Sequence, residues 1–157
     1  MDVSNQNFLV VGVSKSGCAV VEAIINSGGK CKFIEQGQTE RIVDTINKLI
    51  TKGAERVETE DYEQALKGVD VLVLSPGIPI NHPIAVIEKQ KAIRIIGELE
   101  FGFNAFLPKM VAVTGTNGKT TTVNLINAII EESGRKSLLV GNVGVPLTTK
   151  IQENSSN

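Results

Sequence analysis

Short apolar runs alternate with longer amphipathic segments along most of the chain. Each run holds several consecutive apolar residues and ends near a glycine or a polar turn. The strands of a buried parallel sheet have this appearance, because helices cover both faces of the sheet. The runs that predict such strands are residues 7–13, 30–35, 69–75 and 93–97, with a weaker one at residues 55–58.

The segments between these runs carry apolar residues at helical spacing. In residues 39–53, Ile42, Ile46 and Leu49 share one face of a helix, and Gly53 ends it. Similar patterns predict helices at residues 17–27, 61–68 and 83–92, and a helix or loop at residues 98–106. Strands that alternate with helices in this way predict an α/β fold with a Rossmann-like parallel sheet.

A second strand–turn–helix pattern begins about a hundred residues after the first. Residues 109–115 predict a strand, residues 119–134 a helix, and residues 136–144 another strand with a loop. We therefore expect two domains. They are a Rossmann-like domain at residues 1–106, hereafter the first unit, and an incomplete α/β domain at residues 109–157, hereafter the second unit.

Composition narrows the class of protein further. The chain has 157 residues, 16 of them basic and 17 acidic, and no basic stripe that would indicate a nucleic-acid partner. No apolar run approaches the roughly 18 residues of a membrane span, and the N-terminus lacks a signal-peptide pattern. Cys18 and Cys31 are isolated, which favours packing in a reducing compartment over metal binding. We therefore expect a cytoplasmic protein that neither binds nucleic acid nor inserts into a membrane.

The most specific chemistry lies in the turn "TGTNGKTT", residues 114–121. Gly115 and Gly118 allow consecutive backbone N–H groups to converge on an anion, and the following helix adds its N-terminal dipole. Lys119 can reach phosphate oxygens, and the Thr120 hydroxyl can coordinate Mg²⁺. The first glycine of a full P-loop pattern would fall at Val113, so the match is shortened. The alternative is a plain glycine turn with a solvated lysine.

A first glycine loop, "GVSKSG", follows the first predicted strand. It has the spacing of a dinucleotide-binding turn, with Ser14 in place of the middle glycine. Glu35 ends the second strand, where such folds place an acid that accepts from a ribose hydroxyl. The alternative is that Gly12 and Gly17 serve only turn geometry and the packing of helix on strand.

The turn "SPGIP", residues 75–79, follows the third strong strand. Ligands of open α/β sheets gather at the carboxyl ends of strands, so this turn, Glu35 and the first glycine loop should meet at one edge. Ser75 and the N–H of Gly77 could hold a polar group there. A plain type I or II turn is the alternative.

Three further polar side chains draw attention without indicating catalysis. His82 is the only histidine and precedes Pro83, which suits a helix entry better than a catalytic pair. Glu98 and Glu100 in "GELEF" are expected to be exposed or hydrogen-bonded.

These motifs together resemble the Mur ligase family. The resemblance rests on "GVSKSG", "SPGIP" followed by "HP", "GELEF", "VAVTGTNGKTTT" and "GNVGVP", and it extends to about Leu147. It implies an ATP- and Mg²⁺-dependent amide ligase of peptidoglycan precursor synthesis, in which residues 109–157 would be the first part of a P-loop ATPase α/β domain. Such an enzyme would phosphorylate the carboxylate of UDP-N-acetylmuramoyl-L-alanine and let the amine of D-glutamate attack the acyl phosphate.

The resemblance also assigns roles to residues of this chain. Lys119 and Asn142 would be catalytic, Asn142 would also contact substrate, and Thr120 would hold Mg²⁺. The ATP loop would be Gly115, Thr116, Asn117, Gly118, Lys119, Thr120 and Thr121. Contacts to the UDP-sugar would come from Lys15, Ser16, Glu35, Ser75, Pro76, Gly77, Ile78 and Asn142.

The family's enzymes are longer than this chain and have three domains. The resemblance therefore implies an incomplete chain that binds the UDP-sugar weakly and has little or no activity alone. The full-length enzyme is expected to be a monomer, whereas this chain could self-associate and its second unit should be the less stable. Two other functions stay open: a stand-alone nucleotide-binding module without catalysis, and a dinucleotide-dependent oxidoreductase. Ser14 and the second phosphate loop argue against the oxidoreductase.

Overall fold

The computed structural model describes residues 1–58, 61–79, 81–91, 93–106, 109–141 and 145–149, with only the backbone for residues 88–91. Five strands form one parallel sheet in the order β3-β2-β1-β4-β5. They are β1 (Asn7–Val11), β2 (Lys30–Ile34), β3 (Glu55–Arg56), β4 (Val71–Leu74) and β5 (Arg94–Gly97). This order is that of a Rossmann-like sheet, and it confirms the predicted fold class.

Six helices connect and follow the strands. They are α1 (Lys15–Asn26), α2 (Glu40–Thr51), α3 (Tyr62–Ala65), α4 (Pro83–Lys91), α5 (Glu98–Phe106) and α6 (Lys119–Glu132). Local chemistry explains where several begin: the Asp61 side chain accepts a hydrogen bond from the backbone N–H of Gln64 at the start of α3. Proline at the first position of α4 lacks an N–H that the helix could not use. Within the described part of the chain, no helix is long and apolar enough to cross a membrane.

The core has two layers because side chains alternate across the sheet. Phe8 and Val10 of β1 pack on one face with α1, α2 and α5, and the Phe8 ring meets the edge of Phe101 at 5.9 Å between centroids. Leu9 and Val11 pack on the other face with α3 and α4. These four side chains of β1 are all buried, and only Asn7 at its start is exposed, so burial fixes the register of the central strand.

The second unit differs from the prediction. The strands predicted at residues 109–115 and in residues 136–144 are wrong for the described residues, since neither run pairs with another strand. Helix α6 forms as predicted but buries none of its residues, and Val111 and Leu138 are exposed. An apolar run becomes a strand only when its backbone groups find partners and its side chains find a covering layer. The described residues provide neither for these two runs.

Candidate functional site

Three loops meet at the carboxyl edge of the sheet. Val11 pairs with Ile34 of β2 and with Leu74 of β4, so the residues that follow these three positions lie side by side. Those residues are Gly12, Glu35 and Ser75. The strand order reverses at β1, and the crevice at such a point is where open α/β sheets bind ligands.

The first glycine loop is shaped by two close contacts. Gly12 has a φ of 82°, which favours glycine, and its N–H donates to the carbonyl oxygen of Ile34 at 2.9 Å. At Gly17 in α1, a Cβ would lie 1.9 Å from the carbonyl oxygen of Gly12, so only glycine fits there. The proposed structural role of both glycines is therefore present, and it brings the start of α1 against the end of β1.

Glu35 links two loops through its carboxylate. Its Oε2 accepts from the N–H of Val13 at 2.8 Å, and its Oε1 accepts from the N–H of Gly37 at 2.8 Å. Arg56 donates to the backbone carbonyl oxygen of Glu35 at 3.1 Å. An ionised carboxylate accepts about four hydrogen bonds, so beyond these two bonds from the described residues it has room for further donors, such as those of a ligand.

The segment Ser75–Ile78 is a hydrogen-bonded turn. The N–H of Ile78 donates to the carbonyl oxygen of Ser75 at 2.9 Å, with Pro76 and Gly77 exposed at the corners. Gly77 is not among the glycines with positive φ, which excludes a type II turn. The buried Ser75 hydroxyl donates to the carbonyl oxygen of Gly12 at 2.6 Å, so it holds the two loops together.

These loops border a cleft of about 110 Å³. Clefts that enclose a whole small molecule measure roughly 300–1,000 Å³, so this one would take only part of a nucleotide. Its lining is Val11, Gly12, Ile34, Glu35, Gln36, Tyr62, Ile78 and His82. The lining brings together Glu35 and Ile78 from the predicted substrate set, while Ser75 braces the loop behind them.

Sequence reasoning missed Tyr62 and His82 as members of the cleft. Their rings meet edge to face with centroids 5.4 Å apart, and His82 Nδ1 accepts from the N–H of Ile84 at 3.3 Å. The predicted helix entry at His82 is thus correct, but the same residue also borders the cleft. The sequence offered one signal: each residue lies at, or just before, the first residue of a helix that follows a strand.

Lys15 and Ser16 are the first two residues of α1, next to the glycine loop. Ser14 precedes the helix without a side-chain capping bond, so the helix start is not closed by its own side chain. Lys15 is exposed and Ser16 half-buried. Both therefore stand at the carboxyl edge, beside the predicted UDP-sugar contacts.

The second glycine loop is built around the start of α6. Gly118 is its N-terminal cap with a left-handed φ of 77°, and Gly115 has a φ of 151°. Neither a capping side chain nor an acidic residue occupies the first turn of this 14-residue helix. Its first N–H groups and the helix dipole are therefore open to an anion.

Lys119 turns back over this loop. Its Nζ donates to the carbonyl oxygens of Gly115 and, at 3.2 Å, Thr116. The ammonium group thus lies beside the loop backbone, as a lysine that meets phosphate at this loop requires. The loop positions Thr116, Asn117, Thr120 and Thr121 are all exposed.

The fit to Mg²⁺ is partial. Thr120 offers one hydroxyl, and the described residues contain no group of three or more His, Cys, Asp or Glu that could hold a metal ion. Mg²⁺ bound with a nucleotide takes most of its ligands from phosphates and water, so one hydroxyl is compatible with that mode. The predicted catalytic residue Asn142 lies outside the described residues.

Two family models match this chain. Residues 6–97 match the family "Mur ligase MurD-like, N-terminal domain", and residues 113–157 match "Mur ligase middle domain". The UDP-N-acetylmuramoylalanine--D-glutamate ligase of Syntrophus aciditrophicus is 39% identical over 152 residues, and that of Lachnospira eligens 35% over 155. The alignments cover 96% and 99% of this chain but 34% of each relative.

Solved structures support the fold. A murein peptide ligase from Psychrobacter arcticus has a TM-score of 0.58 at 14% identity, over 95% of this chain and 32% of its own. The UDP-N-acetylmuramate:L-alanyl-gamma-D-glutamyl-meso-diaminopimelate ligase from Neisseria meningitides has a TM-score of 0.55 at 17% identity, over 90% and 45%.

The family match covers more than half of the chain, while the chain spans about a third of the length of the curated relatives it matches. The first match spans the parallel sheet, and the second spans the glycine loop before α6. The chain therefore belongs to the Mur ligase family and carries a MurD-like N-terminal domain.

Proposed function

We propose that this chain is the UDP-sugar- and ATP-binding part of an ATP-dependent ligase of peptidoglycan precursor synthesis. The ligase adds D-glutamate to UDP-N-acetylmuramoyl-L-alanine, the reaction that the names of the curated relatives describe. One observation carries the proposal. A second anion-binding loop, the one before α6, follows the Rossmann-like sheet, and a simple dinucleotide-binding fold does not need it.

In this proposal, the first unit, residues 1–106, binds the uridine end of the substrate. The nucleobase enters the cleft, and the spare acceptor positions of Glu35 take a hydrogen bond from it. The diphosphate lies over the start of α1, next to Lys15 and Ser16. The turn of Pro76, Gly77 and Ile78 closes the other side of the cleft, and Ser75 keeps it in register with Gly12.

The second unit, residues 109–157, binds ATP. The loop N–H groups from Gly115 to Thr121 hold the terminal phosphates, and Lys119 leaves its carbonyl partners to bind them. Phosphorylation gives the substrate carboxylate a leaving group, so that an amine can displace phosphate. Lys119 offsets charge that builds on the transferred phosphoryl group. Asn142 would then orient the substrate near the reacting carboxylate.

Mg²⁺ belongs to the same proposal. It would neutralise phosphate charge, with the Thr120 hydroxyl as one ligand. We also propose that the whole protein is cytoplasmic and monomeric. D-Glutamate would bind to parts of that protein beyond these two units.

Titration calorimetry tests the binding roles on this chain. UDP-N-acetylmuramoyl-L-alanine and MgATP should both bind, each without displacing the other, and NADH should not compete with either. Lys119→Ala should weaken MgATP binding at least about tenfold, because it removes a charge-assisted contact, and should leave UDP-sugar affinity unchanged. Lys136→Ala, an exposed lysine of the same unit, is the matched control.

The reaction itself is tested on the whole protein. Phosphate release should require ATP, UDP-N-acetylmuramoyl-L-alanine and D-glutamate together. Tight NADH binding without UDP-sugar binding would replace the ligase with an oxidoreductase. Binding of both nucleotides without phosphate release by the whole protein would favour a non-catalytic module.

A further inference from the structure

A buried carboxylate joins the two units at the carboxyl edge of the sheet. Glu98 begins α5 directly after β5, and its Oε1 accepts from both the N–H of Thr148 at 3.0 Å and its hydroxyl at 2.7 Å. Glu98 is 9% exposed and Thr148 is fully buried. The sequence predicted that Glu98 would be exposed or hydrogen-bonded; it is hydrogen-bonded, and across 50 positions of the chain.

Apolar packing accompanies these hydrogen bonds. Thr148 lies in a helical turn at residues 147–149 that rests on α5. A Cβ at Gly102 would lie 3.0 Å from Leu147 Cδ2 and 3.3 Å from the Thr148 hydroxyl oxygen, so the turn sits tightly on the helix. Leu147 is itself buried. Apolar contact gives this docking much of its free energy but little direction.

Glu98 orients the docked turn through hydrogen bonds. A carboxylate loses hydration when it is buried, and hydrogen bonds must replace that hydration. Here two donors of one residue converge on one oxygen, which defines the position of the turn. The Thr148 N–H belongs to the first residues of the turn, whose amides have no partner inside a helix. The contact thus satisfies an acceptor of the first unit and two donors of the second unit together.

The position of Glu98 connects it to the cleft. Gly97 of β5 pairs with Leu74 of β4. The residues that follow them, Glu98 and Ser75, therefore leave neighbouring strands at the same edge of the sheet. Upstream of the docked turn, the N–H of Gly141 donates to the carbonyl oxygen of Val145 at 3.4 Å. Val145 thus bonds Gly141 on one side and precedes the turn that is docked at the edge of the cleft on the other.

We propose that Glu98 is a positioning residue. It fixes the turn at residues 147–149 against the carboxyl edge of the first unit, and so sets the position of the second unit relative to the substrate cleft. The proposal rests on the proposed function for its ligand, UDP-N-acetylmuramoyl-L-alanine. The anchoring itself is independent of any ligand and can be measured without one.

Two measurements separate anchoring from substrate binding. Amide hydrogen exchange at Thr148, followed by NMR on the 157-residue chain, reports the anchor. Calorimetric affinity for UDP-N-acetylmuramoyl-L-alanine and for MgATP reports its effect on the site. The variants are Glu98→Ala, Glu98→Gln, which keeps an acceptor oxygen, and Thr148→Val, which keeps the amide and the shape. Glu100→Ala is the control, because Glu100 is exposed on the same helix and bonds Arg94.

The expected pattern is specific to positioning. Glu98→Ala should speed exchange at Thr148 at least about tenfold and weaken UDP-sugar binding severalfold, with MgATP affinity unchanged. Glu98→Gln should keep most of the slow exchange at Thr148 and most of the UDP-sugar affinity. Glu100→Ala should change neither the exchange nor the affinity. Thr148→Val should speed exchange to a smaller extent, and this variant decides the question if Glu98→Ala does not fold.

Three other results have defined meanings. Unchanged exchange at Thr148 in Glu98→Ala and Thr148→Val would overturn the anchor. Faster exchange with unaltered UDP-sugar affinity would overturn the positioning role. If the unmodified chain binds no UDP-sugar, the proposed function and the positioning role fail together, while the exchange data still decide whether Glu98 anchors the turn.

Discussion

The α-carbon of Gly17 faces the carbonyl oxygen of Gly12 so closely that a side chain between them is impossible. A Cβ on Gly17 would lie 1.9 Å from that oxygen and 2.4 Å from the Ser75 hydroxyl oxygen. Helix α1 can therefore start at the end of β1 only with glycine at this position. The contact also brings the first turn of α1 to the predicted UDP-sugar site.

Gly17→Ala should destabilise the chain by at least about 2 kcal/mol, because the new methyl group meets backbone that cannot rotate away. Urea unfolding followed by circular dichroism measures the change. Gly97→Ala is the control, since a Cβ there meets nothing within 4 Å, and it should change the free energy of unfolding by about 0.5 kcal/mol or less. Equal effects of the two substitutions would show that the Gly12–Gly17 contact is looser than described.

Removing the Glu35 carboxylate should damage both the loop and the ligand site. Glu35→Ala leaves the N–H groups of Val13 and Gly37 without their acceptor, which should lower the free energy of unfolding by about 1.5 kcal/mol. Affinity for UDP-N-acetylmuramoyl-L-alanine should also fall. Gln38→Ala, an exposed neighbour, is the control. Loss of stability with full ligand affinity would restrict Glu35 to a structural role.

A charge cluster between α1 and α2 predicts an acid-sensitive contribution to stability. Burial alone would raise the pKa of Glu22, but hydrogen bonds from Lys48 and Lys52 hold it below its ordinary value of 4.5. Hydrogen bonding to Glu22 in turn raises the pKa of Lys48 above 10.5. A lowered carboxyl pKa stabilises the fold above the unfolded value, and this contribution is lost as pH falls through the folded value.

Glu22→Gln should therefore reduce the free energy of unfolding at pH 7 and have little effect near pH 2. Urea titrations of both proteins across this range give the difference directly. Glu132→Gln, a substitution of an exposed acid on α6, serves as the control for general charge effects. A penalty of equal size at pH 7 and at pH 2 would mean that the ion pairs contribute nothing.

The two thiols should be slow to react in the folded chain. Burial raises the pKa of Cys31 to about 12, and burial followed by the nearby Glu22 charge raises that of Cys18. Because the thiolate is the reactive form, Cys31 should resist a disulfide reagent at pH 8 until urea unfolds the chain. Cys18→Ala and Cys31→Ala isolate each thiol. Immediate reaction of Cys31 in the folded Cys18→Ala protein would contradict this burial.

The free energy of unfolding should also fall at alkaline pH, because burial raises the pKa of Cys31. The raised pKa of Cys31 leaves the folded thiol protonated while the unfolded thiol ionises near its ordinary value of 9.0. The free energy of unfolding should therefore decline as pH rises above 9. Cys31→Ala should show a shallower decline.

Local patterns were enough to predict most of the first unit. The apolar runs predicted β1, β2, β4 and β5, because strands covered on both faces leave a continuous signature. The edge strand β3, only two residues long, was the weakest prediction and is nonetheless present. The glycine spacing predicted where loops meet, since Gly12 and Gly17 have requirements that are local.

Contacts between distant segments could not be predicted in the same way. Tyr62 and His82 border the cleft because α3 and α4 pack on one face of the sheet, and no local pattern encodes that. Glu98 meets Thr148 for a similar reason. The predicted strands of the second unit were wrong in the described residues, because an apolar run indicates a strand only where partner strands exist.

The central claim is that two separate glycine loops, with the residues around them, bind two different phosphorylated ligands. Titration of the isotope-labelled chain, followed by amide chemical shifts, tests it most directly. UDP-N-acetylmuramoyl-L-alanine should shift the amides of Val13, Gly37 and Ile78, and MgATP should shift those of Lys119 and Thr120. The account is contradicted if the UDP-sugar leaves the first set unchanged, or if MgATP shifts the first set and leaves the second in place.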